Sequence, residues 1–211
     1  MKILAKYTVL PVKNIIFEGD SRMFQWDGGA NAKYYVPLNA YNSLITSYPS
    51  SKLAMNPLAS GGRKLQTILA DVNTAILPII KEGDIIVLWE ITNQMGAGPF
   101  STAQETFDMI QDYSNIVRAA GAKLVVCTEI ARNKAGDAAN ILPDIQDCNQ
   151  LIRNAGTLVA DRTCDLAANP NFATRAACSN TIYYDPDELH LTLTGSGLAA
   201  SLIAASVGTL L

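Results

Sequence analysis

Short apolar, β-rich segments alternate along this 211-residue chain with longer segments of helical periodicity, and that alternation admits few architectures. Successive strands joined by helices must run parallel, and a parallel sheet needs helices over both faces. Strands are expected at Asn14–Phe17, Lys52–Met55, Asp84–Glu90, Lys123–Thr128 and Thr157–Ala160. Helices are expected near Pro37–Ser47, Arg63–Ile80, Thr102–Ala120 and Ile141–Asn154, and again after Leu193. Gly83 and Gly121 stand where a helix would hand over to the next strand. No linker, repeat or low-complexity block interrupts the pattern, so residues 1–211 read as a single domain: α/β, a three-layer α/β/α sandwich on a five-stranded parallel sheet.

Composition narrows the function classes. Hydrophobic residues make up 49% of the chain and charged residues 17%, enough burial to offset the ordering entropy that keeps polar chains disordered. Sixteen basic against nineteen acidic residues give a net charge of −3, with no basic run beyond Arg63-Lys64, so no nucleic-acid partner is expected. Residues 191–211 carry no charge. Polar Ser196, Gly197, Ser201, Ser206 and Thr209 interleave there with Leu198, Leu202, Ile203, Val207 and Leu210 at helical spacing, which predicts an amphipathic closing helix rather than a membrane span. Cys127, Cys148, Cys164 and Cys178 match no zinc spacing, and no metal or cofactor is expected. Cys127 reads as a small buried hydrophobe, whereas a Cys164–Cys178 disulfide could close the loop between those two residues. Lys6 interrupts the apolar start and no cleavage region follows, so no signal peptide is read; a cytoplasmic enzyme, or a domain of a larger secreted or phage-tail protein, is expected.

In an open α/β sheet, ligands bind beyond the carboxyl ends of the strands. The first three loops there are Glu18-Gly19-Asp20-Ser21, Ala59-Ser60-Gly61-Gly62 and Ile91-Thr92-Asn93-Gln94, and the fourth, Glu129 to Ala139, is long and polar. The chain has one histidine, His190, the side chain suited to general-base work near neutral pH. Asp187 lies three residues before it in a Pro-containing turn, close enough to hold Nδ1–H and leave Nε2 free; Asp185 or Glu188 could orient the ring in the same way. Ser21 follows a glycine and an aspartate in a tight turn, a tripeptide that also serves as an ordinary turn with a helix N-cap.

Taken together, Gly19-Asp20-Ser21, Asn56 with Gly61, Asn93, and Asp187-x-x-His190 resemble the SGNH, or GDSL, hydrolase superfamily, in the right order and from position 19 to 190. The resemblance implies a flavodoxin-like three-layer fold and a serine esterase. On this sequence it makes Ser21 the nucleophile, His190 the base and Asp187 its orienting partner. The oxyanion donors become the N–H of Ser21, the N–H of Gly61 and the side-chain amide of Asn93. The third block departs from the family's Gly-x-Asn-Asp, since Ile91 and Gln94 replace its glycine and aspartate, and Gly62 stands where many members carry Asp, leaving open which of the two glycines donates. Asp20, beside the nucleophile, is expected to hold the turn through backbone N–H groups rather than face an oxyanion.

The small residues Ser60, Gly61 and Gly62 suggest a short acyl group, acetate first. Trp26, Tyr34, Tyr35, Trp89, Tyr183 and Tyr184 offer aromatic faces that could stack on sugar rings, with Trp26, Tyr184 and Gly62 as substrate-binding candidates. A carbohydrate O-acetylesterase is therefore the expected activity, acting on a small-molecule or polysaccharide ester. The alternatives are a lysophospholipase- or thioesterase-type hydrolase and a non-catalytic glycan-binding module on the same fold.

Overall fold

The computed structural model describes residues 11–24, 36–96 and 101–211. Five strands, β1 (Lys13–Gly19), β2 (Leu53–Pro57), β3 (Ile85–Trp89), β4 (Lys123–Cys127) and β5 (Arg162–Cys164), form one sheet in the order β2-β1-β3-β4-β5. All four pairings are parallel, the flavodoxin-like arrangement expected. The inner strands are buried on both faces, which is why they read as unbroken apolar runs. Their alternate side chains build two cores. Ile15, Phe17, Val87, Trp89, Val125 and Cys127 face α2 (Val36–Ser47) and α8 (Leu193–Gly208). On the other face, Ile16, Ile86, Leu88, Leu124 and Val126 meet α3 (Leu65–Asp71), α5 (Ala103–Ala119) and α6 (Ile141–Ala155).

Three further helices are short: α1 (Ser21–Phe24), α4 (Thr92–Gly96) and α7 (Arg175–Cys178). Chain order reverses between β1 and β3: the connection from β1 leads outward to β2, and that from β2 returns past β1 to β3. Such a switch point opens a crevice at the carboxyl ends of the two strands. Gly19 and Trp89 are register partners there, so the residues after each emerge side by side. Gly19 must be a glycine, because a Cβ would stand 2.5 Å from Trp89 O and 2.9 Å from the Met23 Cβ.

Several expectations need correction. The fifth strand is Arg162–Cys164, not Thr157–Ala160; Gly156, at φ +50, ends α6, and Gly156–Leu158 form a 3-10 turn that leaves Leu158 exposed. An edge strand of three residues needs little apolar sequence, so hydropathy points to the wrong segment. The helix expected over Arg63–Ile80 is α3 followed by a π-helical turn, Val72–Ile76, and α4 was not expected. Along α8 the buried face is made of small residues, Gly195, Ser196, Ala199, Ala200 and Ala204, with Ile203 and Val207; Leu198, Leu202 and Leu210 pack at its margin. Cys164 and Cys178 are not bonded: all four thiols are free and buried. Cys164 instead pairs with Cys127 across β4 and β5. Among the described residues no helix is long and apolar enough to cross a membrane.

Candidate active site

Ser21 opens α1 directly after β1. Its neighbours fix it: Met23 and Arg22 are fully buried, and the Asp20 carboxylate accepts the Arg22 N–H at 2.8 Å in the manner of a helix N-cap. Asp20 therefore holds the turn, as its position beside Ser21 suggested. The second Asp20 oxygen accepts from Asn93 Nδ2 at 2.9 Å, joining the β1 turn to the β3 turn. Burial, with Glu129 nearby, pushes the Asp20 carboxyl up to about 7, against the pull of Arg22.

The opposite wall is a hairpin from residue 183 to residue 192. Tyr184 and Leu191 form an antiparallel bridge, Asp185 N–H donates to His190 O, and Thr192 N–H donates to Tyr183 O. Inside this hairpin Asp187 Oδ1 accepts the N–H groups of Leu189 and His190 at 3.0 and 2.9 Å. Its Oδ2 lies 2.6 Å from His190 Nδ1. Partial burial raises the Asp187 carboxyl, but the hydrogen bonds from His190 and Leu189 outweigh it and hold the group below its ordinary range. A carboxylate at Nδ1 selects the tautomer with its proton there and leaves Nε2 as an acceptor. Nε2 stands 3.0 Å from Ser21 Oγ, across 169 positions of sequence.

The loop after β2 is drawn to the same end of the sheet, with Leu58 N–H on Phe17 O and Ser60 N–H on Gly19 O. Arg63 anchors it through 2.6 Å to Glu18 Oε2 and 3.0 Å to Leu58 O. Glu18 is fully buried, and desolvation pushes its carboxyl up to about 7 despite Arg63. Gly61 and Gly62 are exposed, with Gly62 in the left-handed region at φ +72. Among the described residues no protein acceptor engages the N–H of Gly61 or Ser21. Asn93 differs. Its Nδ2, expected as an oxyanion donor, already donates to Asp20 and lies 3.3 Å from Arg63 O.

Tyr184 does not serve as a substrate contact: it is buried, its hydroxyl donates to Ala131 O at 3.1 Å, and its ring meets Phe172 edge-on. Trp89 is likewise buried, its Nε1–H on Glu129. Trp26, Tyr34 and Tyr35 lie outside the described residues. A cleft of about 530 Å³ runs beside the hairpin, lined by Asn133, Lys134, Ala135, Pro186, Asp187 and Glu188.

Three buried charges, Arg22, Glu129 and Glu90, escaped sequence reasoning. Glu129 at the end of β4 accepts from Trp89 Nε1, from the N–H groups of Ile91, Thr92 and Ile130, and from Arg22. Glu90, at the end of β3, accepts the N–H groups of Asn93 and Gln94 at 2.9 and 3.1 Å. Four consecutive N–H groups, from Ile91 to Gln94, are thus held by two carboxylates. A charged residue ending a strongly apolar strand was the available signal, since such a residue is buried only where partners await it.

Superposition on solved structures carries the fold assignment. The chain superimposes on a GDSL-like lipase from Bacteroides thetaiotaomicron with a TM-score of 0.67 at 14% identity, covering 93% of this chain and 86% of that one. This protein has the SGNH-hydrolase fold. An acetyl xylan esterase, AlAXEase, matches with a TM-score of 0.67 at 20% identity over 92% of this chain and 99% of its own. A lipase/acylhydrolase from Enterococcus faecalis matches with a TM-score of 0.66 at 14% identity, over 93% and 96%. No family model and no curated protein sequence matches the chain. In this SGNH fold Ser21, Asn93 and His190 project from the ends of β1, from α4 and from the hairpin before α8, the three segments that border the switch point.

Proposed function

We propose that this protein is a serine ester hydrolase that removes short acyl groups, acetyl foremost, from a carbohydrate. The observation that carries the proposal is the hydrogen-bonded chain Asp187–His190–Ser21, with spacings of 2.6 and 3.0 Å. A serine hydroxyl is a weak nucleophile until a base takes its proton. As Ser21 Oγ attacks the ester carbonyl, His190 Nε2 takes that proton, and Asp187 stabilises the imidazolium that results. The proton then passes to the departing alcohol oxygen, leaving an acyl group on Ser21. Water, deprotonated by the same imidazole, releases the acid and restores the hydroxyl.

The oxyanion formed in both steps needs fixed donors. In this reading the unengaged N–H groups of Ser21 and Gly61 supply two, with Gly62 N–H as the alternative to Gly61. Asn93 supplies the third by yielding its longer bond, 3.3 Å to Arg63 O, while its bond to Asp20 keeps the amide in place. Glycines on the β2 side favour a small acyl group. The cleft along Asn133, Lys134 and Glu188 offers polar groups to a hydroxylated leaving group, and similarity to an acetyl xylan esterase agrees with that choice.

Release of acetate from an acetylated polysaccharide, compared with hydrolysis of p-nitrophenyl esters of two and eight carbons, tests the substrate class. Acetate release together with a preference for the two-carbon ester is expected. Preference for the longer ester would move the assignment to a lipase- or thioesterase-type hydrolase. Absent turnover would leave a binding module on a hydrolase fold, and turnover that survives Ser21→Ala unchanged would overturn Ser21 as the nucleophile.

A further inference from the structure

Arg22 is adjacent to the nucleophile in sequence, yet its side chain turns away from solvent and is completely buried. Among the described residues four of its five N–H donors are engaged, one by the hairpin of His190 and three by the loop after β4. Nε donates at 3.0 Å to Leu189 O, the carbonyl immediately before His190. Nη1 donates to Ile130 O at 3.1 Å and pairs with Glu129 Oε1, and Nη2 donates to Ala131 O at 3.1 Å. Glu129 in turn accepts the N–H groups of Ile91 and Thr92, both at 3.1 Å, in the turn that presents Asn93.

These contacts exceed what a salt bridge needs for stability. A buried ion pair gains little over a well-packed apolar pair, because desolvation offsets most of the attraction, so retaining one points to a geometric task. A planar guanidinium suits that task, since its donors lie in a rigid fork whose directions cannot be adjusted singly. A lysine would offer a mobile ammonium and lose that fork. From α1 the same fork holds the hairpin through Leu189 O and the loop after β4 through Glu129, Ile130 and Ala131, and so bears on the 3.0 Å contact between Ser21 and His190.

Resting on the esterase reading above, we propose that Arg22 is a positioning residue: its guanidinium, with Glu129, sets the hairpin of His190 and the turn of Asn93 against Ser21. It touches no reacting atom. Its removal lowers the rate of the chemical step while leaving substrate affinity alone, because displacement of the reacting groups by about 1 Å costs up to about 100-fold in rate.

The test uses Arg22→Lys and Glu129→Gln in the whole chain, with p-nitrophenyl acetate as substrate and active sites counted by reaction with diisopropyl fluorophosphate. Both variants are expected to unfold cooperatively, with kcat about 10- to 100-fold lower per active site and KM within about threefold of the parent. The pH profile of kcat/KM keeps its shape and loses height. In Arg22→Ala, guanidinium chloride at low millimolar concentration is expected to restore at least about tenfold of the lost rate by refilling the cavity, while ammonium chloride does not. Parental kcat per active site in the folded variants would overturn the proposal, whatever their melting temperatures. Failure of both variants to fold would overturn it too, by showing a pair that serves the fold alone. Ser21→Ala in the same assay separates the two readings: if it is inactive while Arg22→Lys turns over normally, only the role of Arg22 fails, whereas an active Ser21→Ala removes the esterase itself.

Discussion

The two walls of the site are built on opposite principles. The wall of Asp187 and His190 is local: three of its defining contacts, Asp187 to the N–H groups of Leu189 and His190 and to the imidazole, span no more than three residues. It is also open, with His190 about 30% and Asp187 about 43% exposed. The Ser21 wall is buried and long-range, tied through Arg22 and Asp20 to residues between 73 and 167 positions away. A local, solvated device can be set by a short motif. A buried one needs most of the fold to be in place first, and it ties catalytic geometry to stability.

The comparison can be broken most severely at the contact where the walls meet. His190→Ala and Ser21→Ala should each lower kcat for p-nitrophenyl acetate by about 10⁴-fold or more, with little change in melting temperature. Asp187→Asn should cost about 10²- to 10⁴-fold through loss of the correct tautomer, and again leave the melting temperature nearly unchanged because the hairpin keeps its backbone bonds. If Asp187→Asn melted far below the parent, the hairpin would not be the local device described.

The buried wall should respond the other way. Gly19→Ala forces a Cβ against Trp89 O and Met23, and about 1–3 kcal/mol or more of stability should disappear, measured by urea unfolding, with activity lost alongside. A smaller effect with a definite sign is expected at Glu90. It is buried, one carboxylate oxygen accepts two backbone N–H groups and the other has no partner among the described residues, and desolvation, together with Asp20 and Glu129, pushes its pKa well above the usual range. A carboxyl whose pKa is raised on folding binds its proton more tightly in the folded state, so its contribution to stability falls as pH rises above the unfolded value of 4.5. Glu90→Gln keeps an acceptor oxygen and removes the ionisation. It should stay within about 1 kcal/mol of the parent at pH 5 and gain relative stability as pH is raised. A constant difference between the two proteins from pH 5 to pH 9 would show that Glu90 does not titrate differently on folding.

The contrast also explains what could be read from sequence. Strands β1, β3 and β4 are legible because buried parallel strands leave runs such as Ile85-Ile86-Val87-Leu88-Trp89, the half-buried edge strand β2 through Leu53-Ala54-Met55, whereas the three residues of β5, Arg162-Thr163-Cys164, carry almost no hydrophobic signal. His190 and Asp187 were legible because their spacing is the geometry. Ser21 was legible through the glycine before Asp20, which the close approach of Trp89 O demands. Arg22 was not, since nothing local distinguishes a charge that finds its partner 107 residues away from one that faces water, and Glu90 and Glu129 carried only the signal of a charge closing an apolar strand, which does not name the partner. The sequence shows Asn93 but not its engagement by Asp20, and it offers Tyr184 as a substrate-binding candidate without showing that its hydroxyl has a buried carbonyl to satisfy.

Mass spectrometry of the intact and digested chain after reaction with diisopropyl fluorophosphate tests the central claim most directly. One phosphoryl group should add to the chain, on the peptide containing Ser21, in step with loss of p-nitrophenyl acetate hydrolysis, and the same reaction should fail with His190→Ala. Hydrolysis that persists after complete labelling of Ser21, or a label that settles on another residue while activity disappears, would contradict the account.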